Sequence, residues 1–363
     1  MLNTLVALLA ENPILLIGLD LFAKSTVVLL FTLVASHLVR TDSFSVRSKH
    51  LLWLTGLLCL ALIPLVSVFP GILDTESKFH AATLTLPTTF DSAEESKITS
   101  FTGFSSNTFL LLAYLGPCLL LLSRMVFAVM SVFGIGARAL PNSNRRTLEI
   151  STSVARKLRL SRSVEILQSK EVTSPFSFGI FAPKIILPDQ ANEWSESTVE
   201  DVLVHELTHI KRLDWPSTIF CHFVASLYWI NPLCWIAINR ISEEAENSCD
   251  AAVLGFGRNG ADYARNLILI ARRSRDGNRL LTQMMADNRM LPKRVQRILK
   301  GKTNTKVNKI FLPMLTTTML ALVASFGSIQ ILAFEPSALS RSDPKKSIES
   351  SPAFIVAPHF GQF

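Results

Sequence analysis

Four long apolar stretches, separated by polar ones of very unequal length, dominate the pattern along this chain of 363 residues. A helix that crosses a bilayer needs about 20 mostly apolar residues. Leu19 to Val39, Leu51 to Phe69, Thr108 to Val132 and Ile310 to Phe334 all come close to that length. The first carries Asp20 and Lys24, spaced so that one helix face brings the two charges together and lessens the cost of burying them. The second contains Pro64, and the third Pro117 and Arg124. Between the third and fourth stretches, residues 134–309 form the one segment long enough for a folded domain with its own core. There Leu148 to Leu158 has the spacing of an amphipathic helix, and Val164 to Leu167 and Lys184 to Leu187 read as short strands. Ser174 to Ile180, with Pro175 and Gly179, suits an exposed edge or a bulge.

The expected architecture is therefore a mainly α-helical multi-pass membrane protein with four transmembrane helices and an α+β domain inserted between helices three and four. Its parts are a membrane region 1–133 with an extracytoplasmic loop 70–107, the domain 134–309, the fourth helix 310–334 and a Ser- and Pro-rich tail 335–363 without a core. A further uncharged run, Trp215 to Ile238, is about long enough to span and would upset this count. Asn231-Pro232 near its middle argues instead for helices lying in or against the membrane surface.

Composition agrees: 49% of residues are hydrophobic and 18% charged. The net charge of +8 raises the question of nucleic acid, but the Lys and Arg residues gather on no binding motif, and direct nucleic-acid binding is not expected. Membrane orientation explains them better. Arg40, Arg47 and Lys49 face the single acid Asp42 between spans one and two, whereas five acids face two lysines between spans two and three. Positive charge stays inside. Residues 134–309, with 26 Lys plus Arg against 17 Asp plus Glu, then fall in the cytoplasm and both termini outside. The five cysteines include no CxxC pair, so neither a cysteine zinc finger nor a disulfide framework is indicated. No secretory cleavage signal is evident at the N-terminus.

The candidate chemistry lies at His205-Glu206-Leu207-Thr208-His209, inside an apolar pattern of helical spacing with Ser195 or Ser197 as N-cap. One turn apart, His205 and His209 can reach one zinc ion at about 2.0–2.1 Å. Glu206, rotated by about 100°, stands beside the ion rather than on it, where a carboxylate can act as general base. A catalytic zinc takes a third protein ligand. The downstream candidates are His222, Glu243, Glu244, Glu246 and Asp250, with Cys249 as an outside choice. Glu246, Cys249, Asp250 and Val253 share one face of a helix expected to begin near Trp235. That face lets Glu246 reach the ion while Asp250 orients a ligand histidine. Asp214 either orients His209 or pairs with Arg212. Phe176, Phe178 and Gly179 mark an edge where a substrate strand could add. An oxyanion donor is less defined, with His222 and Tyr263 as weak candidates.

These residues carry a resemblance. His205 to Asp214, Trp229-Ile230-Asn231-Pro232-Leu233-Cys234-Trp235, Glu246 to Leu254, Ser174 to Pro188 and His50 to Leu54 look like the BlaR/MecR-type membrane metallopeptidases, the antirepressor class of the β-lactam response. The likeness covers about residues 15–330. It implies a gluzincin-like cytoplasmic peptidase domain with zinc on His205, His209 and Glu246, and Glu206 as base. It further implies a bacterial cytoplasmic (inner) membrane location and a protein substrate such as a cytoplasmic transcriptional repressor. Antibiotic-sensing members add a penicillin-binding domain with a Ser-x-x-Lys nucleophile after span four; residues 335–363 are too few for such a domain, so direct β-lactam acylation is not expected. A quality-control protease and a non-catalytic transducer are the competing classes, and a homodimer is compatible with the sequence.

Overall fold

The computed structural model describes residues 13–38, 46–68, 106–275, 290–301, 313 and 317–321. The tail, nearly all of the acidic loop and most of the expected fourth span lie outside these residues. Among the described residues two helices are long and apolar enough to cross a membrane, Ile17–His37 within α1 (Pro13–Leu38) and Thr108–Arg138 within α3 (Ser106–Arg138); the apolar part of α2 (Val46–Val68) is shorter, Ser48–Pro64.

A small sheet follows α3. Its strands, β1 (Leu140–Pro141), β2 (Glu165–Ser169), β3 (Phe176–Phe178) and β4 (Lys184–Pro188), lie in the order β1-β2-β4-β3. β2 and β4 are parallel, with Ile166 opposite Ile185, while β1 and β3 run antiparallel to their neighbours. The alternation of side chains along β4 serves two cores. Ile185 and Leu187 pack with Val154 of α4 (Arg145–Lys157) and with Leu203 and Leu207 of α5 (Glu196–Arg212), whereas Ile186 joins Leu167, Phe178 and the end of α3. The stretch expected to be an edge or bulge is thus a true edge strand, three residues long. Phe178 is its anchor. A Cβ on Gly136 would lie 2.5 Å from the Phe178 ring, so this close approach of α3 to β3 requires glycine.

After the sheet come a 3₁₀ turn (Asp189–Glu193), α5, α6 (Asp214–Leu227), α7 (Pro232–Gly255), α8 (Gly260–Arg275) and α9 (Leu291–Leu299). Helix α7 starts three residues earlier than expected, because Asn231 caps it, its Oδ1 accepting from Leu233 N at 3.0 Å, and Pro232 fits the first turn, where no N–H is needed. Its N-terminal half lies in the core shared with α1, α2 and α6, where Leu29, Leu57 and Leu60 meet Val224, Ala237 and Ile241. Its C-terminal half reaches α5 through Val253, which belongs to the α5 core. One rigid helix therefore runs from the apolar bundle to the chemistry.

The α6–α7 turn is fastened to all three apolar helices. Tyr228 Oη donates to Leu60 O at 2.9 Å, Trp229 Nε1 to Tyr114 O at 3.2 Å, and Asn231 Nδ2 to Ser25 Oγ at 2.9 Å. Asn231 is 1% exposed, so losing these bonds would strand a buried amide at a cost of about 1–3 kcal/mol. Lys24, buried in the same bundle, pairs at 2.6 Å with the half-buried Asp20. Met319 packs there too, accepting from Thr32 Oγ1 at 3.9 Å. On the opposite side α3 exposes Phe109, Leu120, Phe127 and Met130, an apolar surface suited to lipid.

Candidate metal centre

Helix α5 begins where Ser195 Oγ accepts from Thr198 N at 3.2 Å, and it buries Val199, Val202, Leu203, Leu207 and Ile210. That face fixes the rotation of the helix, which turns His205 and His209 toward α7. Their Nε2 atoms lie 3.2 Å apart. Glu246 of α7 completes a triangle, its Oε2 3.5 Å from His205 Nε2 and its Oε1 3.6 Å from His209 Nε2. Tetrahedral zinc with bonds near 2.05 Å separates its ligand atoms by about 3.3–3.4 Å. The three donors therefore fit one zinc ion. A looser grouping joins both imidazoles to Cys249, with donor atoms within 4.8 Å of one another. Burial, reinforced by the Asp214 and Glu246 charges, pushes that thiol well above its usual range, so it is a poor source of thiolate. Glu246 fits better, being closer and already ionised.

Each histidine is backed by an aspartate. Helix α5 ends at Leu213, whose left-handed backbone (φ 62°) turns the chain straight into α6 and folds Asp214 back onto His209. Asp214 Oδ2 lies 2.9 Å from His209 Nδ1, and Arg212 Nε donates to both of its oxygens at 3.1 and 3.2 Å, so the two alternative roles of Asp214 coexist. His50 of α2 adds a third contact, its Nε2 3.6 Å from Asp214 Oδ1. On the other side Asp250 Oδ1 is 3.5 Å from His205 Nδ1. Tyr263 of α8 links them more closely: its hydroxyl donates to Asp250 at 2.8 Å and lies 3.2 Å from His205 Nδ1.

Arg294 of α9 locks this side, forked onto Asp250 at 2.7 and 2.9 Å and reaching Glu246 Oε2 at 2.7 Å. Burial opposes ionisation of Glu246, but the Arg294 charge and the two imidazoles hold its pKa well below the usual range. Asp250 is held at about 2 against burial by Arg294 and His205. Burial likewise opposes charge on His205, and contact with Asp250 and Glu246 outweighs it, raising the pKa to about 10. Both carboxylates are thus held ionised, with Arg294 as the cation beside them.

Glu206 is buried, at 6% exposure, next to His205 in the chain. His222 is exposed on α6, and Glu243 is engaged by Arg240 and Arg297. Tyr263 lies behind His205, on its Nδ1 side, which makes it a support rather than an oxyanion donor. Of the expected substrate edge, Phe176 and Phe178 lie on β3, which is packed against α5, and Gly179 turns the chain after it with φ +96°. The Phe178 side chain is core, 2% exposed against Trp215 and Phe133, so only the strand's backbone and Phe176 remain at the edge. Sequence reasoning missed Arg294 and His50. The first had a faint signal: Arg294 and Arg297, one turn apart, match the spacing of Glu243 and Glu246.

A His-Glu-x-x-His helix completed by a carboxylate from a second helix, in a body joined to apolar helices, defines a membrane-associated metallopeptidase fold. The chain belongs to the BlaR1 peptidase M56 family, whose pattern matches residues 17–298. It is 35% identical to the regulatory protein BlaR1 of Bacillus licheniformis over 112 residues, 31% of this chain and 19% of that protein. It is 27% identical to the methicillin resistance mecR1 protein of Staphylococcus aureus (strain Mu50 / ATCC 700699) over 94 residues, 26% and 16% of the two chains. The match thus spans less than a fifth of these relatives' own length.

Proposed function

We propose that this chain is a membrane-embedded zinc metalloendopeptidase of regulatory type, cleaving a cytoplasmic repressor or partner protein. The triangle of His205, His209 and Glu246 donor atoms, with edges of 3.2–3.6 Å, carries the reading. Zinc held there would supply Lewis acidity toward water and a peptide carbonyl. Glu206 takes the proton of the attacking water and passes it to the amine as the C–N bond breaks. The backbone edge of β3, beyond which no strand pairs among the described residues, receives an extended peptide beside α5.

In this proposal four helices cross the bacterial cytoplasmic membrane, the peptidase domain 134–309 faces the cytoplasm, and the α6–α7 turn is set among the spans. The regulatory assignment draws support from relatives named as regulatory and resistance proteins.

The test is made on the full chain purified in detergent. It should contain one zinc per chain, and Glu246→Ala should lose it. Glu206→Gln should keep the metal and lose cleavage by a factor of about 10²–10⁴. Comparing cellular protein termini between the native chain and Glu206→Gln should then reveal one or a few substrates; a broad set would indicate quality control, and no difference would overturn the enzyme reading.

A further inference from the structure

His50 stands in the second turn of α2, among the apolar helices, and is 3% exposed. It is 164 positions from Asp214, yet its Nε2 lies 3.6 Å from Asp214 Oδ1. The opposite carboxylate oxygen receives His209 Nδ1 at 2.9 Å. Three groups thus converge on one buried carboxylate. His209 is the group whose orientation matters, Arg212 comes from the same helix corner, and His50 is delivered by a separate element. At 3.6 Å the His50 contact is electrostatic, and a displacement of about 0.5 Å would turn it into a hydrogen bond or weaken it further.

The packing makes such displacement consequential. Leu52, Trp53, Leu57 and Leu60 of α2 share a core with Ala237, Ile238 and Ile241 of α7 and Val224 of α6, so α2 bears on both helices that leave the metal centre. A carboxylate behind a ligand imidazole fixes the ring and its tautomer and raises the basicity of the ligating nitrogen. Whatever turns that carboxylate therefore changes the grip on the ion.

We propose that His50 is a positioning residue for His209. Together with Arg212 it clamps Asp214, and through that clamp the placement of the apolar helix α2 sets the metal affinity of the centre. The inference rests on the reading that His205, His209 and Glu246 bind zinc.

It is tested on the full chain in detergent with His50→Leu, His50→Gln, Asp214→Ala and the His50→Leu/Asp214→Ala pair. Zinc affinity is read by chelator competition, the visible bands of the cobalt(II)-loaded protein report ligand geometry, and thermal melting monitors folding. His50→Leu should weaken zinc about tenfold and shift the cobalt bands. His50→Gln, whose amide can still donate to Asp214, should restore most of both. In the Asp214→Ala background His50→Leu should add nothing. Zinc affinity within twofold of the native value and unchanged bands in His50→Leu would overturn the proposal, as would an equal loss with and without Asp214. Should His50→Leu not fold, native bands and affinity in Asp214→Ala would overturn it through the other partner. A native chain that binds no zinc would instead remove the underlying reading, a result distinct from firm zinc binding indifferent to His50.

Discussion

The two imidazoles of the centre stand one turn apart on one helix and are held in different ways. His209 is backed by Asp214 from the next helix, with Arg212 beside it and His50 arriving from the apolar bundle. His205 is backed by Asp250, with Tyr263 from α8 and Arg294 from α9. The same device, a carboxylate behind an imidazole, is thus anchored once toward the apolar helices and once toward the C-terminal helices. Glu246 belongs to both sides because α7 passes through both cores.

The largest break in this comparison should come from Arg294. Its side chain is 15% exposed and serves both Glu246 and Asp250. Arg294→Ala leaves two carboxylates one turn apart without their cation, and removing one partner of a buried pair costs about 3–5 kcal/mol. We expect a marked loss of thermal stability in the metal-free protein. Zinc should recover part of it, about 2.7 kcal/mol at a hundred times its dissociation constant. A variant that melts like the native chain would show that α9 does not hold this side.

Next in size are the two aspartates, compared directly. Asp214→Asn and Asp250→Asn should each weaken zinc, by about 10- to 100-fold. They should differ in what restores them. Asp250→Asn also removes one of the two carboxylates that Arg294 bridges, leaving it Glu246 alone, so its loss should include stability, whereas Asp214→Asn touches no such bridge and should act mainly on affinity. Chelator competition and melting together separate the outcomes; equal effects on both measurements would erase the distinction between the two sides.

The anchoring toward the apolar bundle and the C-terminal anchoring were not equally legible in the sequence. The i to i+4 spacing of His205 with His209 and of Glu246 with Asp250 gives the facing surfaces of α5 and α7, because helical periodicity fixes angular position. Asp214 is near enough in the chain to be a candidate on proximity alone. Periodicity does not give depth or partner. Tyr263 could point at a substrate or toward His205, and the packing of α8 puts its hydroxyl between His205 Nδ1 and Asp250. Arg294 meets Asp250 across 44 residues through a nine-residue helix without a motif, and His50 is a lone histidine at the start of an apolar run. β3 was readable as an edge but not as a strand, since three residues between Pro175 and Gly179 acquire their conformation from pairing with β4 rather than from their own preference.

The smallest expected effect sharpens the comparison most. Tyr263→Phe removes one hydroxyl and keeps the ring that packs in the α5 core. On the His205 side that hydroxyl is the near link, 3.2 Å from Nδ1, while Asp250 itself stands off at 3.5 Å. Its loss should cost about 1 kcal/mol, the net worth of one hydrogen bond, and weaken zinc by no more than about tenfold. On the His209 side no hydroxyl intervenes, since Asp214 contacts Nδ1 directly at 2.9 Å. A loss in Tyr263→Phe as large as that in Asp250→Asn would mean that Asp250 acts on His205 through the tyrosine. A loss near zero would mean that the 3.5 Å contact suffices, and that both histidines are held by their aspartates in the same direct way.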